Sequence, residues 1–330
     1  MKPVVLLYEP IHPDGLAVLE EKAEVRYALG WSEEEVLPII SDVAGIIIRA
    51  NGRITRQLMQ SAPRLKVVGR HGVGLDNVDV VAATELGILV VNTPQANAES
   101  VAEHTLGLMI ALAKRIVEGD RALRAGNWDS RYALVGRELR GCTLGVVGCG
   151  LIGSRVARMA RAAFDAQILY HDIVARLDLE AELGAERVEM EELLRRADIV
   201  TLHVPLTPTT RGLIGVEELA LMKPTTFLIN TSRGAVVEEA ALVEALLTGQ
   251  IAGAGLDVYS TEPLPSDSPF LSMENALVTP HMAAHTEEAL RNMSMVAKDI
   301  VAVLEGREPR YWVNREMVQT GVTVMRCYPP

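Results

Sequence analysis

Thr143-Leu-Gly-Val-Val-Gly-Cys-Gly-Leu-Ile-Gly153 joins a short apolar run to a glycine-rich turn, and a helical pattern follows it. Strand, glycine turn and helix, in that order, are what a dinucleotide-binding unit requires. Gly148 allows the tight turn, Gly150 lets the backbone approach a pyrophosphate, and Gly153 lets the helix pack closely on the strand. Unpaired N–H groups at the start of the helix would face the phosphate anion. The stretch therefore predicts a nucleotide-binding turn.

A second apolar strand, residues 167–171, ends at Asp172, about 20 residues after the turn. A carboxylate at this spacing is expected to accept hydrogen bonds from the adenosine ribose 2′-OH and to repel a 2′-phosphate. Asp172 thus favours NAD over NADP as the cofactor. Arg176 follows closely and leaves NADP open as an alternative.

Length and composition limit the class of protein. The 330 residues suffice for two domains, and 49% hydrophobic with 23% charged residues is ordinary for a globular chain. A formal net charge of −11 argues against nucleic-acid and anionic membrane partners. The three cysteines form no CxxC pair, so neither a disulfide framework nor a metal site is expected, and a reducing cytoplasm is the expected location. The N-terminal apolar run is too short for a signal peptide.

Residues 3–91 alternate short apolar runs with helical patterns, which predicts a small parallel α/β unit. A helix apolar almost all round is expected from 98 to about 125 and should be buried in a core or an interface. Strands at 167–171, 198–203, 226–230 and 253–257 then alternate with helices. One long helix is expected at about 286–305, followed by a loose tail over 306–330.

Three polar side chains follow strands of the glycine-rich region, at the sheet edge where ligands of α/β proteins bind. Arg233 can grip a carboxylate and polarise the adjacent carbonyl, because its guanidinium is a planar fork. His281 can give a proton to a carbonyl oxygen as hydride arrives, and Glu262 can favour the charged imidazolium. Hydride transfer to a 2-oxo acid needs these three types of group.

Several segments occur in the order found in one enzyme family, which the chain resembles over about residues 1–315: the D-isomer-specific 2-hydroxyacid dehydrogenases. It is most similar to short D-3-phosphoglycerate dehydrogenases and to hydroxypyruvate or glyoxylate reductases. The segments are Gly69–Asp79, Ala98–Glu103, Gly148–Gly153, His203–Pro208, Asn230–Gly234, Gly255–Asp257 and Thr279–His281.

The resemblance implies two doubly wound parallel-sheet domains with a cleft between them. A flavodoxin-like substrate domain would comprise 1–97 and 287–330, and a Rossmann NAD-binding domain 98–286. It implies Arg233, Glu262 and His281 as the catalytic trio. The implied cofactor-binding residues are Val73, Val101, Gly148, Gly150, Leu151, Ile152, Gly153, Asp172, His203, Val204, Pro205, Thr231, Ser232, Arg233, Asp257, His281, Ala283 and Ala284.

Cations near the first domain's glycine loop point to a small anionic 2-hydroxy acid. The expected substrate-binding residues are Arg49, Arg70, His71, Gly72, Val73, Gly74, Arg233 and His281. The substrate 3-phosphoglycerate ranks narrowly first. The alternatives are a hydroxypyruvate or glyoxylate reductase and a non-catalytic NAD-sensing protein of the same fold. The resemblance also implies a homodimer, with a tetramer as an alternative, and the chain length argues against a C-terminal regulatory domain.

Overall fold

The computed structural model describes residues 2–315, which form two compact units. The discontinuous unit consists of the described residues up to Asn97 together with those from His285 onward. The central unit is Ala98–Ala284. No helix in the described part of the chain is long and apolar enough to cross a membrane.

The discontinuous unit is built on a parallel five-stranded sheet. Its elements before residue 98 are β1 (Val4–Leu7), α1 (Pro13–Lys22), β2 (Glu24–Tyr27), α2 (Glu33–Val36), β3 (Val43–Ile48), α3 (Arg56–Gln60), β4 (Val67–Arg70), α4 (Val80–Glu85) and β5 (Leu89–Val91). The strand order β2-β1-β3-β4-β5 is the flavodoxin-like order. Every residue of β1 and β3 is buried, as expected for strands covered on both faces. The predicted fold class of this unit is confirmed.

The chain returns to the discontinuous unit in two helices, α12 (Glu287–Ser294) and α13 (Val296–Leu304). The prediction of one long helix was wrong, because the N–H of Met295 bonds to Asn292 O and a new helix begins after it. Helix α13 lies close on the sheet: a Cβ placed on Gly69 would come within 2.9 Å of Ile300 Cδ1. The absence of a side chain in β4 thus allows this packing.

The predicted loose tail is wrong for residues 306–315. Trp312 forms an antiparallel bridge with Val91. Asn314, 1% exposed, accepts a hydrogen bond from Val90 N and donates one to Ile88 O. An amide with its hydrogen bonds satisfied can be buried at little cost, which anchors the segment to β5. The rest of the predicted tail, 316–330, lies outside the described residues.

The central unit is built on a parallel seven-stranded sheet. Its elements are α5 (Ala98–Lys114), α6 (Ile116–Arg124), β6 (Thr143–Val147), α7 (Leu151–Phe164), β7 (Gln167–His171), α8 (Leu177–Leu183), β8 (Glu186–Arg187), α9 (Met190–Arg196), β9 (Ile199–Leu202), α10 (Val216–Leu221), β10 (Phe227–Asn230), α11 (Glu239–Leu247), β11 (Gly253–Leu256) and β12 (Ala276–Val278). The order β12-β11-β10-β9-β6-β7-β8 is the Rossmann order 3-2-1-4-5-6 with one further strand at its edge. The Rossmann prediction is confirmed, although α8, β8 and β12 were not predicted.

The single helix expected from 98 to about 125 is two helices. Arg115 takes a left-handed conformation with φ +54°, which ends α5 and redirects the chain into α6. Helix α5 buries only one side against the core, and its Ile110 is 37% exposed. Helix α6 has no buried residue, and its Ile116 and Leu123 are 51% and 56% exposed. The expected burial of the whole stretch therefore does not occur within this chain.

Candidate functional site

The glycine turn between β6 and α7 has the geometry of a phosphate-binding turn. Gly148 has φ +87°, and a Cβ there would lie 2.8 Å from His203 O. A Cβ on Gly153 would lie 2.0 Å from Gly148 O, so the helix could not pack at this distance with any side chain there. A Cβ on Gly150 would meet nothing within 4 Å. The turn is therefore closed on its inner side and open at Gly150, where a ligand can approach the backbone.

The N-terminus of α7 opens at the same point. Gly150 is the N-cap, and no side chain of residues 2–315 caps the helix there. The exposed N–H groups and the helix dipole favour an anion at this position. Leu151 is 44% exposed, and Ile152 is half-buried on the first turn. These residues fit the pyrophosphate of a dinucleotide.

Asp172 lies at the carboxyl end of β7, beside the turn. Its Oδ2 accepts a hydrogen bond from Cys149 N at 2.6 Å, and its Oδ1 accepts one from Val174 N at 2.9 Å. Each carboxylate oxygen has a second lone pair for a further donor. The backbone contacts thus orient a half-exposed carboxylate next to the turn, as a ribose ligand requires.

The segment after β9 lines the other side of the turn. A Cβ placed on Gly148 would lie 2.8 Å from Val204 Cγ1, the same distance as from the His203 carbonyl oxygen. Pro205, the next residue, is exposed. His203 Nε2 pairs with Thr201 Oγ1 at 2.9 Å, and His203 Nδ1 is buried without a partner among residues 2–315. Burial lowers the pKa of His203 to about 3, so the ring is neutral at physiological pH.

The remaining predicted cofactor positions of the central unit border the carboxyl ends of β10 and β12. Asn230 closes the turn after β10 by accepting from both Ser232 N and Ser232 Oγ. Thr231 Oγ1 lies 3.0 Å from Thr105 Oγ1 on α5. Ser100 Oγ, also on α5, donates to Ala283 O at 2.6 Å. Helix α5 thereby holds both loops, with Val101 buried next to Ser100 and Ala284 half-buried after Ala283.

His281 and Glu262 are in direct contact. His281 Nδ1 lies 2.7 Å from Glu262 Oε2, and Glu262 Oε1 accepts a hydrogen bond from Tyr259 N at 3.0 Å. Burial acts to raise the pKa of Glu262, but its bond to His281, the Tyr259 N–H and the charge of Arg233 together lower it below its ordinary value. An ionised Glu262 thus faces Nδ1, and Nε2 is the ring nitrogen left for a substrate.

Arg233 lies beside this pair because the backbone of the β10 loop packs directly on the β11 loop. A Cβ on Gly234 would overlap the Tyr259 carbonyl carbon at 1.8 Å, so only glycine fits there. The Arg233 charge contributes to the lowered pKa of Glu262, and Arg233 Nη1 donates to Ser232 O at 2.6 Å. The three predicted side chains therefore meet at one edge of the central sheet.

Asp257 holds the loop that carries His281, a role not expected from the sequence. This fully buried carboxylate accepts hydrogen bonds from Thr279 Oγ1, Met282 N and Ala283 N at 2.6, 2.9 and 2.9 Å. His281 itself has φ +48°, a left-handed conformation that costs a non-glycine residue about 1–2 kcal/mol. The bonds to Asp257 on both sides of His281 compensate this strain.

Two further side chains support the same loop, and neither was predicted. Tyr259 Oη donates to Thr279 O at 2.8 Å. His104 on α5 places Nε2 3.1 Å from Thr279 Oγ1 and 3.6 Å from Asp257 Oδ1. Neither residue belongs to a short motif, so only the packing of distant segments could reveal them.

The discontinuous unit gathers cations at the carboxyl end of its sheet. Ile48 pairs with Arg70 in the β3–β4 register, which brings Arg49 and Arg70 to the same edge. Burial, and then the charges of these two arginines, lower the pKa of the buried His71 to about 3. Arg49 Nη1 donates to Pro10 O at 2.6 Å, and His71 Nε2 lies 3.0 Å from Ser294 Oγ. His71 is thus a neutral ring within range of the charges of two guanidinium groups.

The glycine loop after β4 is braced from β5. Thr93 exchanges two bonds with Gly72, and Asn92 Nδ2 donates to Val73 O at 3.0 Å. Gly72 has φ +132°, which favours glycine. Within residues 2–315, the N–H groups of Val73 and Gly74 form no hydrogen bond and remain available for a carboxylate.

Comparison with known proteins identifies the family. Residues 106–283 match the family model described as "D-isomer specific 2-hydroxyacid dehydrogenase, NAD binding domain". The chain belongs to the D-isomer specific 2-hydroxyacid dehydrogenases. The resemblance seen in the sequence is therefore confirmed, and NAD is the cofactor of the matched domain.

Relatives within the family carry two different names. The D-3-phosphoglycerate dehydrogenase of Methanocaldococcus jannaschii is 45% identical over 94% of this chain, which spans 59% of that protein's length. The glyoxylate reductase of Korarchaeum cryptofilum is 41% identical over 97% of this chain and 98% of its own length. Membership of the family therefore does not by itself select a substrate.

Solved structures of the family have the same fold. The D-lactate dehydrogenase of Aquifex aeolicus, complexed with NAD and lactic acid, is 31% identical, with a TM-score of 0.83 over 99% of this chain and 100% of that one. The TT0316 protein of Thermus thermophilus is 40% identical, with a TM-score of 0.88 over 94% of this chain and 99% of its own.

Proposed function

We propose that the protein interconverts a small anionic D-2-hydroxy acid and its 2-oxo acid, with NAD as the hydride carrier. The observation that carries this proposal is the contact between His281 Nδ1 and Glu262 Oε2 at 2.7 Å, with Arg233 in electrostatic range of the same carboxylate. An acid–base group, its carboxylate partner and a carboxylate-binding cation are the groups that reduction of a 2-oxo acid requires.

Each of the three side chains has a distinct role in this proposal. Arg233 binds the substrate carboxylate and orients the adjacent carbonyl. His281 donates its Nε2 proton to the carbonyl oxygen during reduction and accepts it back during oxidation. Glu262 stabilises the imidazolium through Nδ1 and fixes the ring's orientation. Bound NAD supplies or accepts the hydride.

The central unit is proposed as the NAD-binding domain, and the discontinuous unit as the substrate domain. The open backbone at Gly150 and the uncapped start of α7 suit the pyrophosphate. Asp172 suits the adenosine ribose. The other predicted cofactor positions surround the same sheet edge of the central unit, except Val73, which lies in the glycine loop of the discontinuous unit.

Oxidation of NADH followed at 340 nm tests the reaction class directly. Hydroxypyruvate, glyoxylate and 3-phosphohydroxypyruvate should each be tried as oxidant. Turnover with at least one of them is expected. Tight NADH binding without turnover of any 2-oxo acid would contradict the enzyme proposal and favour the non-catalytic NAD-sensing alternative.

Among the substrates we rank 3-phosphoglycerate first, because of the paired arginines of the discontinuous unit. Arg49 and Arg70 both act on His71, so two guanidinium groups gather near the loop with free N–H groups. The glycine loop suits the carboxylate of the substrate, and the two arginines beside it suit a second, strongly charged group such as a phosphate. The relative named D-3-phosphoglycerate dehydrogenase is consistent with this choice.

Arg49→Ala should lower kcat/KM for 3-phosphohydroxypyruvate about 100-fold and for glyoxylate less than about fivefold. The reason is that a charge-assisted hydrogen bond to a phosphate contributes about 1.5–3 kcal/mol. The matched control is Arg53→Ala, which removes an exposed cation from the same loop. Equal losses for both substrates, or an equal effect of the control, would remove the argument for a phosphate site.

A glyoxylate or hydroxypyruvate reductase is the second candidate. It is favoured by the Korarchaeum cryptofilum relative, which this chain matches over 98% of that protein's length. For this candidate, Arg49 would serve the carboxylate region rather than a phosphate. Comparison of kcat/KM for glyoxylate and 3-phosphohydroxypyruvate with the wild-type protein separates the two.

We also propose that the protein is a homodimer through the surface formed by α6 and the turn at Trp128–Tyr132. Leu123 and Trp128 are exposed and line a groove of about 350 Å³ on this surface. Tyr132 is exposed beside them, and Arg131 stacks over both aromatic rings. Exposed apolar area with aromatic and arginine side chains is typical of interfaces between subunits.

Sedimentation velocity should show a dimer for the wild type and a monomer for Leu123→Asp, because a carboxylate would be buried in the contact. The control is Leu29→Asp, which changes a leucine that is 86% exposed on the discontinuous unit and should leave the dimer intact. A wild-type monomer, or a Leu123→Asp dimer, would contradict the assignment of this surface.

A further inference from the structure

The cation that made cofactor choice ambiguous, Arg176, lies close to the nucleotide site. Its N–H donates to Tyr170 Oη at 2.8 Å, which places it alongside β7, in the same connection as Asp172. Burial and the Asp172 carboxylate raise the pKa of the Cys149 thiol to about 12, and the charge of Arg176 acts on the same thiol in the opposite direction. Arg176 is therefore near both the turn and the ribose carboxylate. A nearby arginine is the usual receptor for the 2′-phosphate of NADP.

The guanidinium of Arg176 is engaged by Asp178 in a bidentate pair. Arg176 Nε lies 2.9 Å from Asp178 Oδ1, and Arg176 Nη2 lies 2.8 Å from Asp178 Oδ2. The edge of the guanidinium formed by Nε and Nη2 is thus occupied by a carboxylate, which would compete with a phosphate for it. The Arg176 side chain is 24% exposed, so it is held against the surface rather than extended into solvent.

A second arginine reinforces this arrangement. Arg158 Nη2 lies 3.3 Å from Asp178 Oδ2, while Arg158 Nε lies 2.8 Å from Glu182 Oε2. The hydrogen bond from Arg176 has the largest effect on the pKa of Asp178, and together with the charge of Arg176 it outweighs burial and lowers that pKa to about 2. The carboxylate is therefore ionised at all physiological pH values. Asp178 carries a full negative charge next to the arginine at all times.

We propose that Asp178 is a specificity-determining residue, which excludes NADP by holding the Arg176 guanidinium away from the position of a 2′-phosphate. Asp172 repels that phosphate directly, and Asp178 withholds one cation that could compensate the repulsion. The neighbouring Arg187 donates to the carbonyl oxygens of Asp172 and Ile173. This inference rests on the proposed role of Asp172 as the ribose ligand. It does not depend on which 2-oxo acid is reduced.

The proposal requires that a phosphate would compete for Arg176 once Asp178 is neutral. An exposed ion pair contributes little to stability, so its loss should leave the fold intact. A phosphate carries up to two charges and three acceptor oxygens, which makes it a stronger partner for the planar fork than a neutral amide. Neutralising Asp178 should therefore raise NADPH affinity without improving NADH affinity.

The test measures the dissociation constants of NADPH and NADH by fluorescence titration, without any 2-oxo acid. In Asp178→Asn, the ratio of the NADPH constant to the NADH constant should fall about tenfold relative to the wild type, which equals about 1.4 kcal/mol. NADH should still bind more tightly, because Asp172 remains. The double variant Asp178→Asn/Arg176→Ala should return to the wild-type ratio.

The control is Glu182→Gln, which removes one charge from the same helix and a partner of Arg158 but leaves the pair of Arg176 and Asp178 intact. Its ratio should match that of the wild type. A ratio within about twofold of wild type for Asp178→Asn would overturn the proposal, and so would a gain that persists without Arg176. If the wild type bound neither nucleotide, the proposed nucleotide site itself would be wrong, and this inference with it.

Discussion

Replacing His281 by Asn is expected to lower kcat about 10²- to 10⁴-fold, the usual contribution of general acid–base catalysis. Asn tolerates the left-handed conformation at φ +48° better than most residues, so the loop should keep its shape. It has no group that can transfer a proton near neutral pH. The NADH dissociation constant should stay within about threefold of wild type.

Steady-state kinetics and fluorescence titration check the two parts of this prediction. Wild-type turnover by His281→Asn would show that another group transfers the proton. A large loss of NADH affinity would instead show that the loop had moved. Circular dichroism and Tm, compared with those of the wild type, separate a local effect from unfolding.

Glu262→Gln should have a smaller effect with a characteristic pH dependence. The pKa of Glu262 is lowered, so its carboxylate is ionised in the neutral range and loses its charge only in acid. Without that charge the imidazolium form of the acid–base group is less favoured. The difference in kcat for reduction between wild type and variant should therefore be full at neutral pH and should shrink in acid, where Glu262 of the wild type is protonated as well. If the pH dependence of kcat were the same in Glu262→Gln and the wild type, Glu262 would have no part in the proton transfer.

Arg233→Lys is expected to lower kcat/KM for every 2-oxo acid about 10²- to 10³-fold, although the charge is retained. A lysine cannot reproduce the planar bidentate contact with a carboxylate, and loss of such a contact costs about 3–4 kcal/mol in an active site. The loss should appear in both kcat and KM, since the same group binds the substrate and orients its carbonyl.

Substrates without a carboxylate provide the control for Arg233→Lys. A carbonyl compound without a carboxylate, such as a simple aldehyde, should be reduced poorly, and at a similar rate by the wild type and the variant. A variant that keeps wild-type kcat/KM for glyoxylate would exclude Arg233 as the carboxylate ligand. Unchanged NADH binding would confirm that the cofactor site is intact.

Much of the fold followed from local patterns. The apolar run before Gly148 predicted β6, and the apolar run before Asp172 predicted β7. Strand and helix alternation predicted both parallel sheets, because strands buried on both faces read as continuous apolar runs. Order along the chain also indicated where Arg233, Glu262 and His281 would lie, since the carboxyl ends of parallel strands share one sheet edge.

Local patterns failed where backbone geometry or distant contacts decided the structure. The break at Arg115 depends on one left-handed residue inside a continuous apolar pattern. The anchoring of residues 306–315 depends on Asn314, whose partners lie more than 200 residues earlier in the chain. Hydrophobic periodicity records which face is buried, but it cannot record a single backbone turn or a hydrogen bond to a distant strand.

The sequence by itself determined the family, the two sheets and the glycine turn, and it selected the side chains proposed for catalysis, because each of these rests on residue types at short spacing. Only the tertiary structure decided how those groups are held. Asp257 stabilises the strained loop of His281, and Asp178 holds the Arg176 guanidinium in a bidentate pair. Both are single carboxylates whose roles depend on which donors face them. That orientation is set by the packing of several elements together, so it cannot be read from spacing along the chain.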